Sequence, residues 1–266
     1  IWGVQNRTAR AIRALGYGKD ASGNGIYIAA QRSHTANEFA IQSGSAVEVV
    51  AGDPPGFADV NPWTLVDVTG SNSDQVEIFD VVWGADSGGA VAGTWMAVGE
   101  QSSDQAVYRS RDGGQNWQAI AVPSGDSSED VHTIASNGSG TWAFVHDDGF
   151  YLSTDDGATF TKSTPFTMIR GLGIGYNKSN DTWIVSYING SQPNIYHVRT
   201  CSGTDFTTWS SETVITGTAG TFNDVGRDPH FIRAYNGRVM IQPYSAPNKA
   251  SRIAILDVNG TSISNL

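Results

Sequence analysis

The sequence predicts an all-β fold, and three observations lead to this prediction. Short runs rich in Val, Ile, Tyr, Trp and Thr alternate with clusters of Gly, Asn, Asp and Ser, as strands alternate with turns. No stretch of about 12 residues keeps the apolar spacing of an amphipathic helix. A short motif centred on tryptophan recurs along the chain, and a regular recurrence of this kind indicates an array of similar structural units.

The tryptophan motif sets the size of the repeating unit. It occurs as G-T-W-M-A-V at residues 93–98, G-T-W-A-F-V at 140–145 and D-T-W-I-V-S at 181–186, with weaker forms at 25–29 and 237–241. The tryptophans Trp95, Trp142 and Trp183 are 47 and 41 residues apart. A period of about 40 to 50 residues with four short strands per unit is typical of β-propellers.

We therefore predict a single propeller domain over residues 1–266, with about five blades of four antiparallel strands. The blades are expected at residues 8–70, 75–124, 129–165, 168–218 and 227–266. In each blade the tryptophan motif is assigned to the second strand, and an inner strand precedes it. The first blade is lengthened by a segment at 44–61 whose adjacent prolines indicate a loop. Residues 1–4 are a candidate extra strand for closing the ring.

Two segments carry the pattern Ser-x-Asp-x-Gly-x-x-aromatic at equivalent places in successive blades, 43 residues apart. The Ser hydroxyl and the Asp carboxylate are expected to bond backbone groups of a hairpin turn, while Gly allows a positive φ. The aromatic side chain is expected to pack back on the blade. A degenerate form follows at residues 200–205, with Trp209 displaced by two residues. The residues concerned are Ser110, Asp112, Gly114 and Trp117 in the first segment, and Ser153, Asp155, Gly157 and Phe160 in the second.

These two motifs resemble the Asp boxes of the bacterial neuraminidase repeat (BNR) propellers. In that superfamily the boxes are structural and lie away from the functional face, so the resemblance implies a fold rather than a chemistry. The run from Thr94 to Gly99, followed by the run from Val107 to Gly113, is similar to propeller modules of phage tail and fibre proteins. That resemblance implies a structural or host-attachment role and a virion-associated or extracellular location.

A sialidase-like glycoside hydrolase is the enzymatic alternative. Sialidases use three arginines, a Tyr–Glu nucleophile pair and an Asp acid/base, and their Arg-Ile-Pro motif is missing from this chain. Arginines near inner strands also make ordinary hydrogen bonds between blades, so the residues alone assign no catalytic group, and enzymatic activity is left open. The candidate ligand-binding residues in or near predicted inner strands are Arg13, Arg170 and Arg227, with Arg233 nearby and Glu77 and Asp228 as the nearest carboxylates.

The sequence predicts no cofactor and no metal site. The five histidines show no paired ligand spacing, and the Asp147-Asp148 and Asp155-Asp156 pairs are interpreted as acidic turns. The run Asp86-Ser87-Gly88-Gly89 echoes the nucleophile segment of trypsin-like proteases, but the partner histidine motif is missing and a turn is the better interpretation. Cys201 is the single cysteine, which excludes an intramolecular disulfide.

Charge limits the classes of partner. The formal net charge of −10 disfavours contact with nucleic acid and with anionic membranes, and no apolar run reaches the ~18 residues of a membrane span. The expected partners are other virion or surface proteins, with a glycan as a second candidate that Trp63 could stack against. Homo-oligomerisation is left open. A complex-assembly factor, a role that similar Asp-box propellers perform, is a second functional alternative.

Overall fold

The computed structural model describes most of the chain and shows only β-strands as regular elements within the described residues. These residues are 12–31, 41–45, 64–66, 76–101, 104–123, 131–146, 149–189, 196–203, 206–214, 230–235, 238–243, 254–256 and 263–265. No helix that could cross a membrane is found in this part of the chain.

The described strands form five four-stranded antiparallel sheets, each from a consecutive stretch of chain, which we call blades 1 to 5. Blade 1 contains β1 (Ile12–Lys19), β2 (Gly25–Gln31), β3 (Ile41–Ser45) and β4 (Thr64–Val66). Blade 2 contains β5 (Val76–Gly84), β6 (Thr94–Gln101), β7 (Asp104–Ser110) and β8 (Gln118–Ala119). Blade 3 contains β9 (Ile134–Ser136), β10 (Trp142–His146), β11 (Gly149–Ser153) and β12 (Thr161–Ser163). Blade 4 contains β13 (Arg170–Asn177), β14 (Thr182–Ile188), β15 (Tyr196–Ser202) and β16 (Thr213–Val214). Blade 5 contains β17 (His230–Tyr235), β18 (Arg238–Pro243), β19 (Ala254–Leu256) and β20 (Ile263–Asn265).

This arrangement confirms the predicted all-β fold with four-stranded antiparallel blades. The tryptophan motif lies on the second strand of blades 2, 3 and 4, as predicted. The second strands β10 and β14 are buried at every residue. Strands that are apolar on both faces are expected where each face packs on another layer, and here the layers are the neighbouring blades.

The hydrophobic core is divided among the seams between blades. One cluster joins blades 1 and 2, with Ile28 and Trp95 among its members, and a second joins blades 2 and 3 around Trp142. A third joins blades 3 and 4 around Trp183. Each cluster takes side chains from two successive sheets, so burial of the apolar surface holds each blade to its neighbours along the chain.

Inner-strand glycines let the tryptophans approach closely. A Cβ atom on Gly18 would lie 2.6 Å from the indole ring of Trp95, and one on Gly84 would lie 2.9 Å from the ring of Trp142. Both distances are too short for a real side chain. Glycine is therefore required on the inner strand at these points, because the indole of the following blade occupies the space.

Candidate binding surface

The blades have two chemically different ends. Successive strands of a blade alternate in direction, so the turns after the inner strands and the turns after the third strands lie together. We call this the box end, because the two Ser-x-Asp-x-Gly segments form turns there. The connections between second and third strands and between blades lie at the opposite end, which we call the link end.

The first motif forms a hydrogen-bonded turn around Asp112. The Ser110 hydroxyl donates to Oδ1 of Asp112 at 2.8 Å and accepts from the backbone N–H of Gly114 at 2.9 Å. The same Oδ1 accepts from the backbone N–H groups of Gln115 and Asn116 at 3.1 and 2.9 Å. Gly114 has a φ of +82°, a conformation that favours glycine.

The second motif repeats this geometry. Ser153 donates to Oδ1 of Asp155 at 2.7 Å, and Ser153 Oγ accepts from the N–H of Gly157 at 2.9 Å. The N–H of Thr159 donates to Oδ1 at 3.0 Å and its hydroxyl to Oδ2 at 2.7 Å. Burial alone would raise the pKa of Asp155, but these hydrogen bonds outweigh it and hold the pKa below its usual value. The buried ring of Phe160 packs on Phe144.

The degenerate segment of blade 4 keeps the aromatic residue but not the carboxylate. Strand pairing places Cys201 opposite Trp183, just as Ser110 lies opposite Trp95. Trp117 follows Ser110 by seven residues, and Trp209 follows Cys201 by eight. The aromatic residue is therefore displaced by one position, not by the two that the sequence suggested. The Trp209 indole N–H donates to the carbonyl of Phe206, and its ring stacks on Phe150 at 4.7 Å. Trp209 therefore serves packing between blades 3 and 4.

Contacts at the box end also tie blades 2 and 3 each to the blade before it. In blade 3, Asp156 accepts from the backbone N–H and the hydroxyl of Ser87 in blade 2, both at 2.8 Å. In blade 2, a Cβ on Gly113 would lie 2.4 Å from the backbone of Ala21 in the first turn of blade 1. The Asp86–Gly89 segment is a turn held by its neighbours, and its serine bonds a carboxylate rather than a histidine.

Alanine at Asp155 tests the turn network. We expect Asp155→Ala to lower the free energy of unfolding by about 1–2 kcal/mol at pH 7, because a largely exposed carboxylate loses several hydrogen bonds. Since the native pKa of Asp155 is lowered, its contribution is present above the unfolded value of 3.8 and is lost as the pH falls through the native pKa. Chemical denaturation at pH 7 and pH 3 measures both effects. Thr167→Ala, at an exposed site of the link end, is the control. An equal loss at both pH values would contradict the proposed role of the charge.

An ion pair between the buried Asp80 and the half-exposed Arg233 connects inner strands that are not neighbours in the chain order. Arg233 of blade 5 donates to Oδ1 of Asp80 in blade 2 at 3.0 Å, and the N–H of Ile134 in blade 3 approaches Oδ2 at 3.3 Å. The Asp80 carboxylate thus links its own blade 2 to blades 3 and 5. Burial raises the pKa of Asp80, and Arg233 opposes this effect. The pair is a structural tie at the centre of the array.

The sequence-predicted arginines lie at the link end where the structure describes them. Arg170 is the first residue of β13 and is half-buried, next to the exposed side chain of Ile169. Arg13 lies in β1, at the point where the pairing of β1 with β2 shifts register. The structure describes the backbone of Arg13 alone. Arg227 and Trp63 lie outside the described residues, as does Asp228, and of Glu77 only the backbone in β5 is described. The structure therefore does not bring the candidate arginines together in one described site.

A polar cluster that the sequence did not reveal lies in blade 4, on the face toward blade 3. The Tyr187 hydroxyl donates to Oε2 of Glu212 at 2.6 Å, and Nδ1 of His197 lies 2.9 Å from Oε1. Arg199 Nε donates to the Tyr187 oxygen at 2.8 Å, and the Asn189 amide donates to Glu212 at 3.1 Å. These residues come from β14 and the residue after it, from β15 and from the approach to β16, so only strand pairing brings them together.

The environment fixes the protonation of this cluster. Burial and the bond to Glu212 raise the pKa of Tyr187, and burial lowers the pKa of His197 although Glu212 opposes it. Burial would raise the pKa of Glu212, but the hydrogen bonds from Tyr187 and Asn189 lower it. The Arg199 guanidinium lies 4.7 Å from the centre of the Phe166 ring, which covers the cluster on the link side. The cluster therefore contains a neutral tyrosine, an ionised glutamate and an arginine.

Comparison with known proteins identifies the fold. No family model matches the sequence, and no curated protein matches it either. An ancestral GH74 enzyme superposes with a TM-score of 0.58 at 14% identity, over 96% of this chain and 32% of that one. YCF48 bound to D1 peptide gives 0.55 at 9% identity, over 100% and 69%. The WD40 domain of Toxoplasma gondii coronin gives 0.60 at 11% identity, over 96% and 57%. The chain thus spans only part of each of these three chains. Identities this low support a conclusion about the fold alone, and that fold is a β-propeller.

Proposed function

We propose that this chain is a non-catalytic binding and structural propeller of the Asp-box type, belonging to a virion tail or fibre or otherwise extracellular. Its link end recognises a neighbouring structural protein, and a surface glycan is the second candidate ligand. The observation that carries the proposal is that most of the described carboxylates of blades 1 to 4 serve as hydrogen-bond acceptors within the fold.

The state of these carboxylates matters because glycoside hydrolysis needs two of them. One acts as an acid, and the other attacks the sugar or activates water. Asp112 and Asp155 are held in turns with lowered pKa values, so they do not suit a proton donor. Asp86 accepts from Arg111 at 2.8 Å and also has a lowered pKa. Asp80 is buried and paired with Arg233.

The blade 4 cluster also argues against the hydrolase alternative. Its Tyr187–Glu212 contact has the residue types of a sialidase nucleophile pair. A nucleophilic tyrosine must be reachable and must lose its proton readily. Tyr187 is fully buried, and its pKa is raised. The contact suits a structural network better than a nucleophile.

Two features favour a protein partner. Ile169 exposes half of its side chain at the link end, beside the half-buried Arg170, and an apolar residue next to an arginine is a common composition at protein interfaces. The structurally similar YCF48 was solved with a bound peptide, which supports protein binding by analogy of fold only. A complex-assembly role remains the alternative form of the same protein-binding proposal.

A paired experiment tests the ligand class. The purified chain is applied to a glycan array, with release of reducing ends measured on any glycan that binds. The same chain is immobilised to capture purified tail, fibre and surface proteins. Capture of a protein without sugar release supports the proposal, and glycan binding without release moves the assignment to the second candidate. Sugar release would overturn the non-catalytic role.

A matched pair of variants tests the surface. We expect Ile169→Asp at the link end to weaken partner binding by about tenfold or more, because a charge replaces an apolar contact in the interface. Val91→Asp, at a similarly exposed aliphatic residue of the box end, should leave binding unchanged. Surface plasmon resonance with the captured partner measures both. The opposite pattern would place the binding surface at the box end.

A further inference from the structure

The three seams that join blades 1 to 4 share one contact. The second-strand tryptophan of each blade lies against a small residue on the inner strand of the blade before it. Trp95 covers Gly16 and Gly18, and Trp142 covers Gly84. Trp183 packs in one cluster with Ala135. All three indole side chains are fully buried by this packing.

Blade 1 has the same positions on the face that would meet a preceding blade. In blade 2, Trp83 pairs with Trp95, and the pairing shifts register four residues before Trp83. In blade 1, Tyr17 pairs with Tyr27, and the pairing shifts register four residues before Tyr17. Tyr27 therefore occupies the position of Trp95. By the same register, Leu15 occupies the position of Val81.

These positions are open to solvent in blade 1 alone among the first four blades. Leu15 and Tyr17 are each 60% exposed and Tyr27 is 39% exposed. In blade 2, Val81 and Trp95, the counterparts of Leu15 and Tyr27, are 2% and 0% exposed, and Trp83, the counterpart of Tyr17, is half-buried. Leu15, Tyr17 and Tyr27 thus form an exposed apolar patch at positions that pack between blades elsewhere in the fold. We call this patch the blade 1 face.

Blade 5 does not offer the matching surface. Gly16 contacts Val81 across the first seam, and Gly175 contacts Ile232 across the fourth, so Ile232 corresponds to Val81 and to Leu15. The residue after Leu15 is Gly16, and the residue after Ile232 is Arg233. Blade 5 therefore presents a long charged side chain where the other seams present glycine, alanine or valine. The Arg233 side chain extends to Asp80 from the position at which the other seams have a small residue. That position therefore does not offer Tyr27 the small residue on which Trp95 packs.

The other face of this gap is open as well. Met240 lies opposite Arg233 in blade 5, and its side chain is 36% exposed. Ile28 and Met96 occupy this place in blades 1 and 2, and both are fully buried against the following blade, where Gly114 contacts Ile28 and Gly157 contacts Met96. Among the described residues, Leu15 and Tyr27 on one side of the gap between blades 5 and 1 and Met240 on the other are thus exposed where their counterparts are buried.

We propose that the blade 1 face is the docking site for one further four-stranded blade, supplied by the same polypeptide. The occupant has glycine or alanine on its inner strand where it meets Tyr27. Continuity with the observed seams supports this choice, because every seam described joins consecutive blades of one chain. The proposal is independent of the ligand assigned to the link end.

Cysteine labelling tests the proposal on the 266-residue chain. In a Cys201→Ser background, Leu15→Cys should react with a maleimide as fast as Ile169→Cys. Val81→Cys should react at about one tenth of that rate or below, because the packed strands around it must open first. A second protein carries an added copy of residues 75–124 before residue 1. There we expect Leu15→Cys to become protected to the level of Val81→Cys. The same addition with Gly84→Leu in the added copy is the matched control, because that side chain would block Tyr27, and it should leave Leu15→Cys reactive.

Each other outcome overturns the proposal. Protection of Leu15→Cys in the 266-residue chain at every concentration would mean that the ring closes on itself. Protection that increases with concentration, with a dimer mass by light scattering, would mean that a second copy covers the face. Reactivity that persists although the added blade is folded, as judged by circular dichroism, would mean that a blade does not dock there. If the added copy does not fold, a copy of residues 168–218, whose inner strand carries Gly175, takes its place in the same comparison.

Discussion

Replacing Trp95 with alanine will lower the free energy of unfolding by about 3–5 kcal/mol, the range found for large aromatic side chains removed from a core. The indole is fully buried in the seam between blades 1 and 2. Its N–H donates to the carbonyl of Lys19 at 2.9 Å, and the variant leaves that carbonyl without this donor. The glycines beneath the ring have no side chains that could fill the cavity, so collapse of the site will recover little.

Chemical denaturation followed by circular dichroism measures this loss. Trp117→Ala is the control, because Trp117 is only partly buried at the box end and donates its N–H to a turn carbonyl within its own blade. Its loss should be smaller by a factor of about two. A Trp95→Ala variant that loses less than Trp117→Ala would show that the seams do not carry the stability of the stack.

Replacing Arg233 with methionine will cost about 3 kcal/mol at pH 7, and a second substitution will recover most of it. Breaking a buried pair leaves an uncompensated charge, which costs about 3–5 kcal/mol, and the half-exposed guanidinium places this pair at the lower end. Asp80→Asn removes the charge and keeps an oxygen that can accept from Ile134. The double variant should therefore be close to the native protein in stability.

The pH dependence of Arg233→Met separates charge from packing. Burial already raises the pKa of Asp80 above 3.8, and loss of Arg233 should raise it further. A raised native pKa favours folding below the unfolded pKa, and this advantage is lost as the pH rises through the native pKa. The destabilisation of Arg233→Met should thus be small near pH 4 and reach its full size at neutral pH. A constant loss across this range would indicate a packing effect and contradict the role of the buried charge.

The sequence predicted the blades well because each blade is largely a local structure. Trp95, Trp142 and Trp183 mark second strands through a motif of about six residues, and the Ser-x-Asp-x-Gly turns close within eight residues of chain. Strand order within a blade follows from consecutive hairpins. These features depend on short-range patterns that a single sequence displays directly.

The contacts between blades could not be predicted in this way. Trp95 bonds a carbonyl 76 residues away, and Arg233 meets Asp80 across 153 residues. Nothing in the pattern around Gly16 distinguishes a glycine that receives an indole from one that only forms a turn. The sequence places Arg233 near an inner strand but does not indicate its partner, because an isolated aspartate in a strand carries no periodic signal.

The blade 4 cluster shows the same limit. Tyr187 and Glu212 are separated by a hairpin and a short connection, and the register of three strands is needed to bring them together. The five histidines show no ligand spacing along the chain, whereas His197 and Arg199 share a face because they alternate along β15. Polar residues at alternate positions of a strand with buried neighbours are the sequence signal that marks this pair.

The seam contacts also determine how order is lost. Trp95, Gly113 and Asp156 each reach from a later blade to the blade before it, so the stack is coupled mainly between nearest neighbours. A linear array of this kind frays from its terminal units, and its central units open last. Amide hydrogen exchange should accordingly be slowest in β6, β10 and β14 and faster in blade 1, where Leu15 and Tyr17 are exposed. The propeller would then unfold blade by blade, beginning with the terminal blades.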